Sequence, residues 1–169
     1  MGKIKMKMLL TFILLCFIIA FCSCGIGNNV ADYRSRPFRC IIDFSVGERK
    51  ICARLTVENQ NNIRMEILSP DALAGAVVYG NGKAEYGGMT LDTDGFEEIL
   101  SYGRALIPKG KISKVNKVKG REGLLCVTVK DEGEEGKAYE IYVDKKCGYP
   151  EELRFDGKTV FVRDFEFLD

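Results

Sequence analysis

The chain has 169 residues, 46% of them hydrophobic, a size that suits one domain and leaves little room for two. Its 25 Lys+Arg nearly balance 24 Asp+Glu, with no basic domain, which argues against a nucleic-acid binder. It contains no histidine, which excludes Ser-His-Asp and Cys-His catalysis and histidine metal sites.

Lys3, Lys5 and Lys7 precede residues 9–21, which carry no charge. That run falls short of the roughly 20 apolar residues a membrane helix needs. A basic segment followed by a short apolar run has the pattern of a secretory signal. Ala20-Phe21-Cys22 is a poor small-x-small cleavage site. Phe21-Cys22-Ser23-Cys24-Gly25 instead resembles the lipobox of bacterial lipoproteins: an apolar residue, two small residues, then a modifiable cysteine. The resemblance implies a signal peptide over residues 1–23, a thioether-linked diacylglycerol on Cys24 and cleavage just before it. A thiol supplies the nucleophile, and small neighbours let the backbone enter the peptidase. Two alternatives stay open here: an uncleaved N-terminal anchor helix, and Cys22 as the modified residue, which bulky Phe21 disfavours.

Two acyl chains anchor stably where one binds marginally. The mature protein is therefore expected to be lipid-anchored at the extracytoplasmic face of the cell membrane, with membrane lipid as its partner. Loss of residues 1–23 removes three lysines and leaves a net charge of −2, from 22 basic and 24 acidic residues. Residues 24–36 are polar and rich in chain breakers, and read as a flexible tether. The folded domain is expected over residues 37–169.

From Phe38 the pattern has period two with frequent turn signals, as antiparallel strands require. Residues 38–46 alternate Phe38, Cys40, Ile42, Phe44 and Val46 with more polar positions, and 47–50 turn the chain. With Val46 set opposite Ile51, the next strand carries Ile51, Ala53, Leu55 and Val57 on one face. Residues 59–62 turn again before Ile63, Met65 and Ile67, and Pro70 closes that strand because it cannot donate to a ladder. Three short strands follow at 76–79, 83–86 and 89–91, separated by Gly80-Asn81-Gly82 and Gly87-Gly88.

One segment breaks the period. Asp94 is placed to cap a helix with apolar positions Phe96, Ile99, Leu100, Tyr102 and Leu106, ended by Pro108 and Gly110. Strands resume at 112–118, 124–129, 138–143, 151–155 and 159–167, and 131–136 forms an acidic hairpin loop. The fold class is mainly β (α+β): a strongly curved antiparallel half-barrel of about ten strands, with one central helix against the concave face.

This element order resembles the LolA-like half-barrel family of lipoprotein carriers and envelope lipoproteins. Two segments carry the resemblance. Ile67-Leu68-Ser69-Pro70 through Gly75 and Tyr79 is similar to the family's strand–Pro–strand step, and Tyr139 to Asp144, Tyr149-Pro150 and Phe165-Glu166-Phe167 to its C-terminal strands. The resemblance implies that the concave face can hold acyl chains or another apolar ligand. Phe38, Phe44, Leu55, Val57, Met65, Phe96 and Leu100 are the candidate lining residues; the competing account makes them simply the core. An envelope protein is the alternative partner, with no small ligand.

No phosphate-binding glycine loop followed by a helix is present, and no cofactor is implied. Glu97, Glu98, Asp92 and Asp94 surround the helix start, where the macrodipole favours negative charge. Of seven cysteines, Cys16 and Cys22 leave with the signal and Cys24 is lipidated. On the expected register Cys40 and Cys52 lie too far apart to bridge, and on opposite faces. Cys126 and Cys147 fail similarly, and a cross pair such as Cys40 with Cys147 stays open. The four lack the CxxC spacing of a zinc site, and free buried thiols are the expectation.

Overall fold

The computed structural model describes residue 30 and residues 32–91, 96–131 and 137–169. The expected signal, Cys24, most of the tether, Asp92, Asp94 and the acidic loop 132–136 lie outside the described residues. The strands are β1 (Phe38–Val46), β2 (Arg49–Asn59), β3 (Asn62–Ser69), β4 (Val77–Tyr79), β5 (Ala84–Tyr86) and β6 (Met89–Leu91). After helix α1 (Glu97–Ala105) come β7 (Gly110–Lys117), β8 (Leu124–Asp131), β9 (Ala138–Asp144), β10 (Pro150–Phe155) and β11 (Lys158–Phe167). All eleven form one antiparallel, curved and unclosed sheet in the order β6-β5-β4-β3-β2-β1-β11-β10-β9-β8-β7.

This order explains where the helix sits. The first strand pairs with the last, so the sheet's two free edges are β6 and β7. The segment joining them contains α1, which packs on the concave face against β1, β2 and β3. Its buried side chains are Ile99, Leu100, Tyr102 and Ala105, matching the apolar spacing read from the sequence. The residue at the N-cap is Phe96, which makes no side-chain capping bond, and Glu97 and Glu98 occupy the first turn.

The strand alternation buries one face. Phe38, Cys40, Ile42 and Phe44 of β1 and Ile51, Ala53, Leu55 and Val57 of β2 are buried, and their neighbours are not. Each fully buried Leu or Phe contributes roughly 1.5–3 kcal/mol. Gly103 brings α1 close: a Cβ there would lie 2.6 Å from Met65 Cε and 3.1 Å from Leu55 Cδ1. Gly110 performs the same service at the start of β7, where a Cβ would collide with the carbonyl oxygen of Lys130.

Two boundaries differ from expectation. Gly47 and Glu48 alone make the first turn, so Val46 faces Arg49 and Phe44 faces Ile51, two residues from the expected register. Cys40 then opposes Leu55 and Cys52 opposes Asp43 on the other face, about 10 Å away along the strands. All four described cysteines are free, but against the expectation of buried thiols only Cys40 is buried, and Cys147 is exposed. The packed unit also begins earlier than residue 37. Asp32–Ser35 form a 3-10 turn, and Tyr33 is buried, its hydroxyl donating to the Leu106 carbonyl at 2.8 Å. The polar composition of 24–36 hides this one anchoring aromatic. Residues from Ala31 to Asp169 form one compact unit that contains the whole described core.

Candidate functional site: a notch between two hairpins

Pairing between β1 and β11 stops at Asp43–Phe161. The β1–β2 hairpin nevertheless runs on to Val46–Arg49, and the β10–β11 hairpin to Phe155–Lys158. The two hairpin ends therefore part and leave a notch of about 720 Å³ through the sheet. Phe44, Ile51 and Tyr102 line its concave side, while Asp43, Cys52 and Phe161 line its convex side.

Helix α1 supplies the floor. Tyr102 stacks on Phe44 with ring centroids 4.3 Å apart, and meets Phe155 edge-on at 5.8 Å. Its hydroxyl donates to the Ser45 carbonyl at 2.6 Å, holding the β1–β2 hairpin in place. Lys158 lies 4.8 Å from the Tyr102 ring centroid and 3.3 Å from Glu98 Oε1, which ties the other hairpin to the helix.

On the convex side Arg163 joins two walls. Its Nε donates to Asp43 Oδ2 at 2.9 Å and its Nη2 to Cys52 Sγ at 3.2 Å. The Arg163 hydrogen bond holds the Asp43 carboxyl below the usual carboxylate range. Desolvation and then the neighbouring Asp43 push the Cys52 thiol up, so it stays protonated at neutral pH. Cys40, buried in the core, is pushed up to about 12 by desolvation. Neither thiol is an activated nucleophile. Among the described residues there is no group of three or more His, Cys, Asp or Glu side chains placed to hold a metal.

Phe161 is 56% exposed, although the flanking Val160 and Val162 are buried. A bulge explains its direction. Arg39 faces Glu166 but Ile41 faces Arg163, so Asp164 and Phe165 together oppose Cys40, with Asp164 at φ 52°. The inward face of β11 thereby switches from even to odd positions: Phe165 joins Tyr33 and Phe38 at 5.8 and 5.0 Å, and Phe161 is turned outward.

The seven expected lining residues separate under this geometry. Phe44 lies on the notch wall. Phe38, Leu55, Val57, Met65 and Leu100 are at most 2% exposed in the core, and Phe96 is half-buried at the helix start. At Gly103 the helix packs directly on Leu55 and Met65. Tyr102, Ile51 and Phe161 are the wall residues missing from that set. Phe161, out of phase with Val160 and Val162, was the one readable signal.

A second groove of about 690 Å³ runs along the solvent side of α1, between Asn61 and Gly80 on one flank and Tyr139 and Phe155 on the other. Arg104 projects there, bonded to Glu97 at 3.1 Å and to the Gly80 carbonyl at 3.0 Å.

No protein-family model matches the chain, and no curated protein matches its sequence. Solved structures do resemble its fold. An uncharacterized conserved protein from Thermus thermophilus is 16% identical with a TM-score of 0.48, over 85% of this chain and 86% of that one. MucB from the Pseudomonas aeruginosa MucA/MucB complex is 13% identical with a TM-score of 0.41; 84% of this chain matches 56% of MucB, so the chain spans about half its length. A LolA superfamily protein from Nitrosomonas europaea is 8% identical with a TM-score of 0.38, over 85% and 92% of the two chains. The family named from the element order is thus among these likenesses, which are too distant to carry function to this chain.

Proposed function

We propose that this chain is a membrane-anchored extracytoplasmic lipoprotein, non-enzymatic, that holds a lipidic or otherwise apolar ligand segment in the notch between its two hairpins. The notch itself carries this reading. It joins buried aromatic surface at Phe44 and Tyr102 to exposed Phe161 across an interrupted sheet, with Lys50 at its rim. Concave sites lined by apolar groups with a few polar ones are where small ligands bind. The charged groups beside it, Asp43, Glu98, Lys158 and Arg163, are engaged in ion pairs, which suits holding more than proton transfer.

The anchor reading is supported by the lipobox-like Phe21-Cys22-Ser23-Cys24, which would make Cys24 the lipidated residue. Metabolic labelling with a fatty-acid analogue tests it: label is expected in the wild type and absent in Cys24→Ala, and a labelled variant overturns the anchor. Native mass spectrometry tests the ligand. Lipid adducts are expected on the wild type and lost in Phe161→Ala with Tyr102→Ala; a wild type free of adducts counts against an apolar ligand.

A second reading has its own observation. Strand β7 is a free edge of eight residues, mostly exposed, with open backbone groups to offer an envelope protein. Crosslinking in cells, with a recurring partner captured through β7, supports it; recovery of the monomer alone argues against it.

A further inference from the structure

Residues 109–121 hold six cations and no carboxylate, a concentration that the near-neutral total conceals. Lys114 and Lys117 lie on edge strand β7, and Lys119 lies in the loop to β8; all three are exposed. The fold sets a second basic segment beside this loop. Lys145 N–H donates to the Gly123 carbonyl at 2.7 Å, so the turn after β9, with exposed Lys145 and Lys146, abuts it. These five lysines make no ion pair with any described residue, and none shows a hydrogen bond from its ammonium group.

Asp144 caps its own turn, accepting backbone N–H bonds from Cys147 at 2.9 Å and Lys146 at 2.7 Å, which hold its carboxyl below the usual range. Glu122 in the loop, Glu151 after the turn and Asp169 near Arg36 are the exposed carboxylates of the region, fewer than its cations.

The N-terminal segment joins the domain at the same end of the sheet. Past the β9–β10 turn, Tyr149 packs against Phe165 and Phe167 at 4.8 and 5.6 Å, and Arg36 lies 3.8 Å over Phe167. Tyr33, three residues earlier, is seated on Phe165 and Phe38. Cys24 precedes Tyr33 by nine residues, which span at most about 30 Å. A lipid on Cys24 would keep this end, rather than the hairpin ends at the notch, nearest the bilayer.

We propose that the corner formed by the β7–β8 loop, the β9–β10 turn and Arg36 docks on an anionic lipid headgroup surface. This rests on the Cys24 anchor for its setting, but the surface can be tested without it. Lysines near an anionic leaflet contribute additively and are screened by salt. With a net charge of −2 after residue 23, the domain presents this corner as its attractive side and leaves the notch facing outward.

The test uses the chain from Gly25 onward, which lacks the anchoring thiol and contains the whole packed unit. It is sedimented with vesicles of phosphatidylcholine alone or mixed with phosphatidylglycerol. Binding to the anionic vesicles is expected to be at least about tenfold stronger, and to disappear in high salt. Charge reversal at Lys117, Lys119, Lys145 and Lys146 to Glu is expected to abolish the preference with an unchanged melting temperature. If the reversal unfolds the chain, Lys119→Gln with Lys145→Gln is expected to weaken the binding severalfold. No preference for anionic vesicles, or full binding by the folded variants, overturns the proposal. Fatty-acid labelling of Cys24→Ala fails or succeeds independently, so a lost anchor and a lost docking surface are distinguished.

Discussion

Beneath Gly103 the concave face is closed, and beside Tyr102, one residue away on the same helix, it is open. The missing Cβ at Gly103 brings the helix directly onto Leu55 and Met65. Tyr102 instead reaches sideways to Phe44 and the Ser45 carbonyl, along the line where β1 and β11 stop pairing. A sheet can therefore be packed in its middle and still offer apolar surface where its own hydrogen-bond ladder ends. Open apolar surface here belongs to the ladder's end, not to the depth of the curve.

Substitutions separate the two regions, from the greatest expected cost to the least. Leu100→Ala hollows the closed region and is expected to lower unfolding free energy by about 2–5 kcal/mol in urea titration. A loss under ~1 kcal/mol would mean that the helix is loosely held and the middle of the face is not closed.

A buried charge on the convex face, shared by neither region, gives the next step. Glu152 is 3% exposed and receives Arg121 and Arg154, each at 2.6 Å. Burial raises its carboxyl, but the two arginine hydrogen bonds outweigh burial and leave it below the usual carboxylate range. Its stabilisation is therefore complete at neutral pH and is lost as pH falls through the depressed folded-state value. Glu152→Gln is expected to cost about 1–3 kcal/mol at pH 7, with wild type and variant converging in acid. Parallel pH–stability curves would contradict this.

At the notch, Tyr102→Phe keeps the stack on Phe44 and deletes only the bond to Ser45. About 1 kcal/mol is expected in thermal or urea unfolding, with faster hydrogen exchange confined to the β1–β2 hairpin end. Exchange that rises across the whole sheet would show that the two regions are not separable. Phe161→Ala should change stability by less than about 0.5 kcal/mol, because the ring is mostly in solvent. A larger loss would make Phe161 a packing residue and weaken the case for an open notch.

Much of the architecture was legible along the chain. The alternation from Phe38 through Met65, the single 3.6-period stretch at Ile99–Leu100–Tyr102, and Pro108 and Gly110 after it yielded the sheet, the helix and its buried side. The site was legible only in part. Phe44 borders the notch while Leu55, Val57 and Met65 are core, yet all four read alike in the sequence, because one strand's periodicity says which face is inward but not what covers it. A two-residue turn at Gly47-Glu48 in place of the expected 47–50 moved the first register by two positions, since turn length is chosen by the pairing it serves. Tyr33 lay hidden in a polar stretch because one aromatic has no period to reveal it.

Local order was thus determined by the sequence itself: side-chain alternation and turn residues act over neighbours, and those neighbours are written in the chain. Tertiary structure decided what depends on distant partners. It paired the first strand with the last, turned Phe161 outward through the bulge at Asp164, and ended the β1–β11 ladder early enough to leave a notch. It also set the turn carrying Lys145 and Lys146 against the β7–β8 loop that carries Lys119. Each arises from contact between segments remote in sequence, whose geometry no local pattern encodes.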